Sequence, residues 1–563
     1  MSEVSFILRT LELFDLGAYS PQQSLGPVTE VFNLPLPPDT MVRQPSIIRV
    51  DRQSTSALPE KATTLRVVGS VFARDHPFLD FLHPQHFRDM VEIIYEERGT
   101  RDEAYVRFLP LLHHVLALGY LFCRKEHETR GCSQAIDTAM KHFAHSQQLL
   151  NVIRCDDLLS MQTLLCGAVF LMSTSRIATG HALIGLAASS AMRLGLPCEA
   201  NNTAPMLQDE RQMRDLVFAS LLRMDMYTSL ILDLPRFIQD DLVDLSLNSL
   251  YARLSEEEKI EFRTEASIKH LELLRLTCNA RRAVYVNPMT GERIETIDLN
   301  QLSSVEGELH RWTEEVSVLF SRVPKSVDLA MQKHFLETAS NFSQLILYRP
   351  FLHYLRHMAD NKAPIPRSQS RHALACVKLA SNTILRTQLV LGTDTPVPLS
   401  WDTIYTLFLA VMCLVFLISA HNGTSLPSEA WKRASIGIGI LYANACVDNG
   451  ASMCLRVLRT VVQQLNHTVD FDFEEIEQRT RKVCAGERTA DMLRKVATER
   501  PPPGPAKVSK PFSTSTSTST GRFADADGML AHAEDLPLGF GFTEVLNMDS
   551  EEDEHTTYTS DHR

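Results

Sequence analysis

The sequence predicts an all-α protein, with one large multi-helix domain followed by a disordered C-terminal tail. Three observations support this fold class. From Leu58 to about Arg500, apolar residues recur at i, i+3 and i+4, which is the spacing of amphipathic helices. Strand-type alternation is confined to one weak hairpin pattern, at 285–297. Glycine is scarce, at 23 of 563 residues, which argues against Gly-rich phosphate loops and folds with many tight turns.

Eight segments carry the helical spacing clearly enough to be predicted one by one. Breaks are expected at Gly195-Leu196-Pro197 and at Pro235, because Gly and Pro end helices. A short amphipathic helix at 5–14 would precede this region. The eight predicted helices are 65–72, 87–97, 108–122, 136–150, 158–171, 181–194, 210–232 and 374–387.

An apolar run of 17 residues without a charge extends from Ile404 to Ala420. That length is at the lower limit for a helix that spans a membrane. The run stands alone, and no Lys/Arg cluster flanks it as in membrane segments. We therefore predict a central buried helix and no membrane partner, with membrane insertion as the alternative.

Four regions follow from these patterns. Residues 1–57 form an N-terminal arm and linker, and residues 58–500 form the helical domain. Residues 501–521 form a Pro/Ser/Thr-rich linker, because a PPPGP run cannot continue a helix and the STSTSTST run has nothing apolar to bury. Residues 522–563 form an acidic tail.

The acidic tail holds 11 carboxylates against 2 arginines, so it carries most of the chain's net charge of −12. Large hydrophobic residues alternate with these acids, and such disordered segments are typical of activation domains that a coactivator groove captures. A merely solubilising tail is the alternative. The hydrophobic residues of interest are Phe523, Leu536, Leu538, Phe540, Phe542 and Leu546.

Eleven cysteines without a CxxC pair indicate buried thiols in a reducing compartment. The set Cys123, His127 and Cys132, with His142 and His145 nearby, has a spacing that could hold zinc on one helix face. Since the spacing matches no known knuckle, a structural role is preferred. We expect no metal site and no cofactor in this chain.

One DDxxD pattern, Asp240-Asp241 with Asp244, raises the alternative of an all-α, magnesium-dependent prenyl-diphosphate enzyme. Such enzymes need a second metal motif downstream. The nearest resemblance, from Asp156 to Ser160, lies upstream and has Leu164 where a Glu is required. We predict that the chain is not an enzyme and has no catalytic residue. A helical scaffold without a DNA role is a further alternative.

Short motifs follow one another in order along the helical region and suggest a family. They include Leu58-Pro59, Phe81-Leu82-His83, Leu116-Ala117-Leu118-Gly119, Arg193-Leu194-Gly195-Leu196, Arg214 with Phe218 and Asp225, Pro235 before Asp240-Asp241, and Arg349-Pro350-Phe351-Leu352. In content and order, residues 58–480 resemble the fungal-specific transcription factor domain. This is the middle homology region of binuclear zinc-cluster transcription factors.

The resemblance implies a nuclear, DNA-binding regulator of RNA polymerase II transcription, with promoter DNA, coactivators and a homo- or heterodimer partner. The family reads DNA through six cysteines that share two zinc ions and place a helix in the major groove. The first cysteine here is Cys123, so the family's zinc-cluster DNA reader is expected to be absent from this chain. Zinc is expected only if that module exists outside it, and otherwise a partner would bind DNA. Metabolic or secondary-metabolite genes are the expected targets.

Three charged residues in the resembling motifs are predicted to have a structural role. Arg214, Asp225 and Asp241 would form a buried ion-pair network around the loop after Pro235, because buried charges are costly unless paired. An effector pocket lined by the same charges is the alternative.

Overall fold

The computed structural model describes most of the region between residues 58 and 478. The described residues are 58–72, 78–96, 103–123, 129–151, 155–196, 208–239, 262–285, 299–321, 327–354, 367–391, 399–420, 428–445, 448–465 and the single positions 473, 474, 476 and 478.

Every regular element in these ranges is helical, and strands are absent from them, so the predicted all-α class is confirmed. The α-helices are α1 (Lys61–Phe72), α2 (Pro84–Glu96), α3 (Glu103–Cys123), α4 (Thr129–Leu149), α5 (Leu158–Met172), α6 (Ile177–Arg193), α7 (Gln208–Leu232), α8 (Phe262–Tyr285), α9 (Leu299–Ser321), α10 (Val327–Tyr348), α11 (Arg367–Leu391), α12 (Trp401–Ala420), α13 (Ser428–Ala445) and α14 (Asn449–Leu465). A short 3₁₀ helix, Arg349–Leu352, follows α10.

Two groups of helices share one hydrophobic core. In the first, α3 packs against α1, α4 and α5, and α5 pairs with α6. In the second, α12 packs against α10, α11, α13 and α14. Helix α7 links the groups along the chain, since it contacts α5 and α6 on one side and α8 on the other. The core is therefore continuous from α1 to α14.

The helix ends follow the local sequence. Asp157 caps the start of α5, where its Oδ1 accepts a hydrogen bond from the backbone N–H of Ser160 at 2.7 Å. Beyond α6, Gly195 has φ 64°, and the next amide donates back to the Ala191 carbonyl at 3.0 Å. The predicted break at Gly195 is confirmed, because glycine adopts this left-handed conformation without steric cost.

Helix α12 contains the apolar run noted above. Its window Trp401–Ile418 is long and apolar enough to cross a membrane, but every residue in it is buried inside the fold. A helix that is hydrophobic on all sides and covered on all sides is a core helix. The prediction of a central buried helix is thus confirmed.

Helices α1 and α3 approach each other at a glycine. A Cβ placed on Gly119 would lie 2.5 Å from the carbonyl oxygen of Val67 and 2.5 Å from its Cγ1. Gly69 is also in this region but has nothing within 4 Å of the equivalent position. The close contact of the two backbones therefore depends on Gly119 and not on Gly69.

All eight individually predicted helices are present in the structure, with ends that differ by a few residues in most cases. The largest differences are in α4, which begins at Thr129 and not at 136, and in α11, which begins at Arg367 and not at 374. The predicted helix at 5–14 and most of the hairpin pattern at 285–297 lie outside the described residues. The domain limits at 57, 500 and 521 stay predictions.

Candidate functional site

A buried ion pair joins the turn before α2 to the middle of α7. Nη2 of Arg223 lies 2.5 Å from Oδ1 of Asp80, and Ser220 Oγ donates to the same oxygen at 2.8 Å. The arginine side chain is 0% exposed and the aspartate side chain 3% exposed. Such a pair holds its two segments in fixed register, because separating the charges would leave an uncompensated buried ion.

Aromatic side chains from four helices surround this pair. The Arg223 guanidinium lies 5.6 Å from the ring centre of Phe78, within cation–π range. Phe78 in turn contacts the rings of Tyr227 on α7, His270 on α8 and Trp401 on α12, with centre distances of 5.3–6.1 Å. A ring on α10, that of Phe335, is 6.0 Å away. The residues Phe78, Asp80, Ser220, Arg223, Tyr227, His270, Phe335 and Trp401 are called the central cluster below.

The histidine of the central cluster is neutral. Burial lowers the pKa of His270 well below its usual value, and the nearby charge of Arg223 lowers it further. A neutral imidazole therefore packs beside a buried guanidinium. This arrangement links α7, α8, α10 and α12 and gives the cluster a structural role at the junction of the two helix groups.

Asp225, predicted as an ion-pair residue, binds backbone amides. Its two carboxylate oxygens accept hydrogen bonds from the N–H groups of Phe237 and Ile238, each at 3.0 Å. Burial raises the pKa of Asp225, although both bonds favour the charged form. The residue fixes the segment that follows Pro235. The DDxxD residues come next in the chain, but Asp240, Asp241 and Asp244 lie outside the described residues.

Arg214 lies near the start of the same helix. Its Nη2 donates to the carbonyl of Leu194 at 3.0 Å, close to the end of α6. Eleven residues of α-helix separate it from Asp225, or about 16 Å along the axis, so the two side chains make no direct pair. A network that includes Asp241 stays a prediction, because that residue is not described.

A surface cleft of about 560 Å³ lies beside Arg214. The apolar part of its wall comes from α2, α3, α5 and α7, and includes Phe87, Phe108 and Met213. Such a volume is within the usual range for small-molecule sites. The full lining is Leu82, His83, His86, Phe87, Met90, Arg107, Phe108, Leu111, Asp156, Asp157, Leu158, Leu159, Gln162, Leu194, Glu210, Met213 and Arg214. The alternative interpretation of Arg214 as a pocket residue therefore has a defined cavity.

The histidines of the possible zinc set lie between α3 and α4. Nδ1 of His142 is 3.0 Å from Nδ1 of His113, and the His145 ring stacks on His113 with centres 5.4 Å apart. Burial is the largest cause that lowers the pKa of His142 to about 4 and that of His113 to about 2, so both rings are neutral. One Nδ1 must then donate and the other accept. Among the described side chains, no three potential ligands are placed to hold a metal ion.

Other predicted residues of the zinc set and the tail cannot be placed. The side chains of Cys123 and Cys132 and the whole of His127 lie outside the described part of the chain. The same is true of the six tail hydrophobic residues, Phe523, Leu536, Leu538, Phe540, Phe542 and Leu546.

Six of the eight residues of the central cluster lie in a region that also carries a family signature. Residues 70–317, which extend from the end of α1 almost to the end of α9, match the model of the fungal specific transcription factor domain. The chain contains a fungal transcription factor domain. The match lies within the 58–480 region that the ordered motifs indicated. In this transcription factor domain, Arg223 and Asp80 are core residues, and Arg214 borders the cleft.

Curated relatives carry names that agree with this family. The chain is 26% identical over 452 residues to "Activator of stress genes 1" of Saccharomyces cerevisiae, covering 75% of the chain and 45% of the relative. It is 24% identical over 426 residues to "Activator of stress genes protein 1" of Candida albicans, covering 67% and 42%. The chain thus spans less than half the length of these two relatives. No solved structure matches it.

The sequence reasoning missed the best-defined polar pair of the domain. Asp80 immediately precedes the Phe81-Leu82-His83 motif, and Arg223 lies between Phe218 and Asp225 of another motif. The two positions are 143 residues apart, so no local spacing connects them. The available signal was a charged residue next to one motif and another within a second motif.

Proposed function

We propose that the chain is a regulatory part of a nuclear transcription regulator that controls expression by RNA polymerase II. The match of residues 70–317 to the fungal transcription factor domain carries this proposal. The two relatives, named as activators of stress genes, support a role in gene activation. The buried ion pair and its aromatic shell give the domain a rigid centre, and the cleft gives it a place for regulation.

In this proposal, the helical body restrains activation or senses a signal, and residues 522–563 recruit coactivators. DNA contact would come from a zinc-cluster module elsewhere in the full protein or from a DNA-binding partner, in a homo- or heterodimer. Genes of metabolism or secondary metabolism are the proposed targets. Since the relatives are more than twice as long as the matched region, they have room for such modules.

A reporter assay tests the activating part of this proposal. Residues 522–563 and the full chain would each be fused to an unrelated DNA-binding domain in yeast. The short fusion should activate the reporter, and the full-chain fusion should activate it less if the helical body restrains the tail. In a matched variant, the six tail hydrophobic residues become Ala while all 11 carboxylates remain. That variant should activate much less, because the acids offer nothing for a coactivator groove to bury and most of the large hydrophobic residues are gone.

Two outcomes would contradict the proposal. A silent short fusion, present at normal levels on an immunoblot, would remove the activation role of the tail. Full activity of the alanine variant would show that the charge and not the hydrophobic residues matters. Imaging of the fluorescently tagged full chain tests location separately, since exclusion from the nucleus would favour a cytoplasmic scaffold.

A further inference from the structure

We infer that the surface cleft beside Arg214 binds an uncharged small molecule with an aliphatic body. The cleft holds about 560 Å³, which is within the usual range for small-molecule sites. Its walls are part of the packed domain, since α3 and α7 both contact α5. The inference deepens the proposed function, because it rests on that function in treating the bound molecule as an effector of the domain.

The part of the wall that a ligand can touch is aliphatic. Five hydrophobic side chains of the lining are only partly buried, namely Met90, Leu158, Leu159, Leu194 and Met213. The aromatic residues behind them, Phe87 and Phe108, are each 4% exposed and support the wall from within. Methionine side chains are unbranched and polarisable, so they adapt to ligands of different outline. The wall therefore favours a saturated hydrocarbon body without demanding one precise shape.

The amide of Gln162, in the same lining, is already bonded within the protein. Its Nε2 donates to the Phe81 carbonyl at 2.9 Å and lies 3.2 Å from Sδ of Met213, which joins α5 to the turn before α2 and to α7. These bonds occupy the donor group of the amide. The wall around it therefore presents mainly apolar surface to a ligand.

The charged groups of the lining nearly cancel, since three carboxylates face two guanidinium groups. Arg107 and Asp157 form an ion pair. Glu210 precedes Arg214 by four residues on α7, and opposite charges at this spacing lie side by side on a helix. Arg214 donates to a backbone carbonyl, which leaves its positive charge in place. The third carboxylate, that of Asp156, is exposed to water.

This balance decides the charge of the ligand. A charged group placed in the cleft would lose part of its hydration without gaining a net counter-charge. An uncharged apolar body pays no such cost, and its transfer from water to the apolar wall is favourable. The acidic tail, with its 11 carboxylates, is a poor occupant for the same reason. An uncharged molecule from outside the chain is the better fit.

Fluorescence titration of the purified full chain tests this inference. The reporter is N-phenyl-1-naphthylamine, an uncharged dye whose emission rises in apolar surroundings. Three ligands with the same alkyl chain then compete with it: 1-decanol, which is uncharged, decanoate, which is anionic, and decylammonium, which is cationic. Decanol should displace the dye at an about tenfold lower concentration than either ion. Absence of saturable dye binding, or an ion that displaces the dye at the same or a lower concentration than decanol, would overturn the proposal.

Two substitutions on opposite walls locate the site. Met90→Trp on α2 and Leu159→Trp on α5 each place a larger side chain in the cleft and should weaken dye binding by about tenfold or more. The matched control is Ile93→Trp, because Ile93 is also on α2, is 45% exposed and lies outside the lining. This control should bind the dye like the unaltered chain. If both cleft variants also bind the dye like the unaltered chain, the cleft is not the site.

The balance of charge is tested by removing part of it. In Asp156→Asn with Glu210→Gln, the two guanidinium groups face a single carboxylate. Decanoate should then displace the dye about threefold to tenfold more readily, whereas decanol should be unaffected. A control removes two exposed carboxylates elsewhere, Asp137→Asn on α4 with Glu308→Gln on α9, and should leave all three ligands unchanged. If decanoate gains nothing, or gains equally in the control, the lining charges do not select the ligand and the proposal is wrong.

The binding test and the reporter test fail separately. Loss of the inferred site would leave activation by residues 522–563 in the short fusion unchanged. Conversely, a silent reporter fusion would leave the dye affinity and its dependence on Met90 and Leu159 intact.

Discussion

Replacing Arg223 by Met should destabilise the domain strongly, because the substitution leaves Asp80 buried without its counter-charge. The arginine is completely buried and the aspartate nearly so, and only Ser220 Oγ, at 2.8 Å, would still donate to the carboxylate. Removing one partner of a buried pair costs about 3–5 kcal/mol, since the remaining charge pays its full desolvation penalty. We expect the free energy of unfolding to fall by that amount.

A urea titration followed by far-UV circular dichroism measures this change, with two comparison variants. In Asp80→Leu/Arg223→Met both charges are replaced by apolar groups, so this variant should be more stable than Arg223→Met alone. Lys61→Met removes one side of the surface pair with Glu92 and should leave the unfolding midpoint unchanged. The reasoning would be refuted if Arg223→Met cost less than about 1 kcal/mol, the range of surface pairs. It would also be refuted if the double variant were no more stable than Arg223→Met.

Two further predictions concern pH and the α1–α3 contact. The pKa values of His114 and His142 are lowered to about 4, mainly by burial. On acidification the unfolded chain therefore binds protons before the folded chain does. The free energy of unfolding should be highest above pH 6.5 and should fall by about 2 kcal/mol per ring between pH 7 and 5. Urea titrations at both pH values check this. In His114→Phe, the part of the pH-dependent loss of stability that comes from this ring should disappear. Gly119→Ala should lower the thermal midpoint, because its Cβ meets a backbone oxygen at 2.5 Å, whereas Gly69→Ala should raise it slightly. Calorimetry that finds the same shift for both substitutions would contradict the packing argument.

Much of the fold could be predicted because most helices have a recognisable apolar pattern or end signal within their own sequence. Helix α12 has an uninterrupted apolar run, and α6 ends at a glycine in the left-handed conformation. Helices α8 to α10 were not predicted one by one. Helix α8, for example, places charged residues such as Lys269 and Glu272 among its apolar positions, where they pair with each other. Local patterns identify an amphipathic helix best when its polar face is distinct.

The site was harder to predict because it depends on how distant segments align. Asp225 was recognised as a structural residue, but its partners are backbone amides, which a sequence does not distinguish. Arg214 and Asp225 looked like partners in the sequence, yet one straight helix keeps them about 16 Å apart. The pairing of Asp80 with Arg223 requires the packing of the segment before α2 against α7, which no spacing within either segment encodes.

The burial of α12 has a consequence for how the protein is made in the cell. The ribosome exposes Trp401–Ile418 before α13 and α14 exist, and during that interval the segment has the composition of a membrane anchor. Only the later helices complete its cover, since α12 contacts both of them as well as α10 and α11. In chains that end between residues 420 and 448, the apolar surface of α12 is therefore exposed to chaperones and to the membrane-insertion machinery. Gene truncations meant to dissect regulation should end after α14, because the core is continuous from α1 to α14.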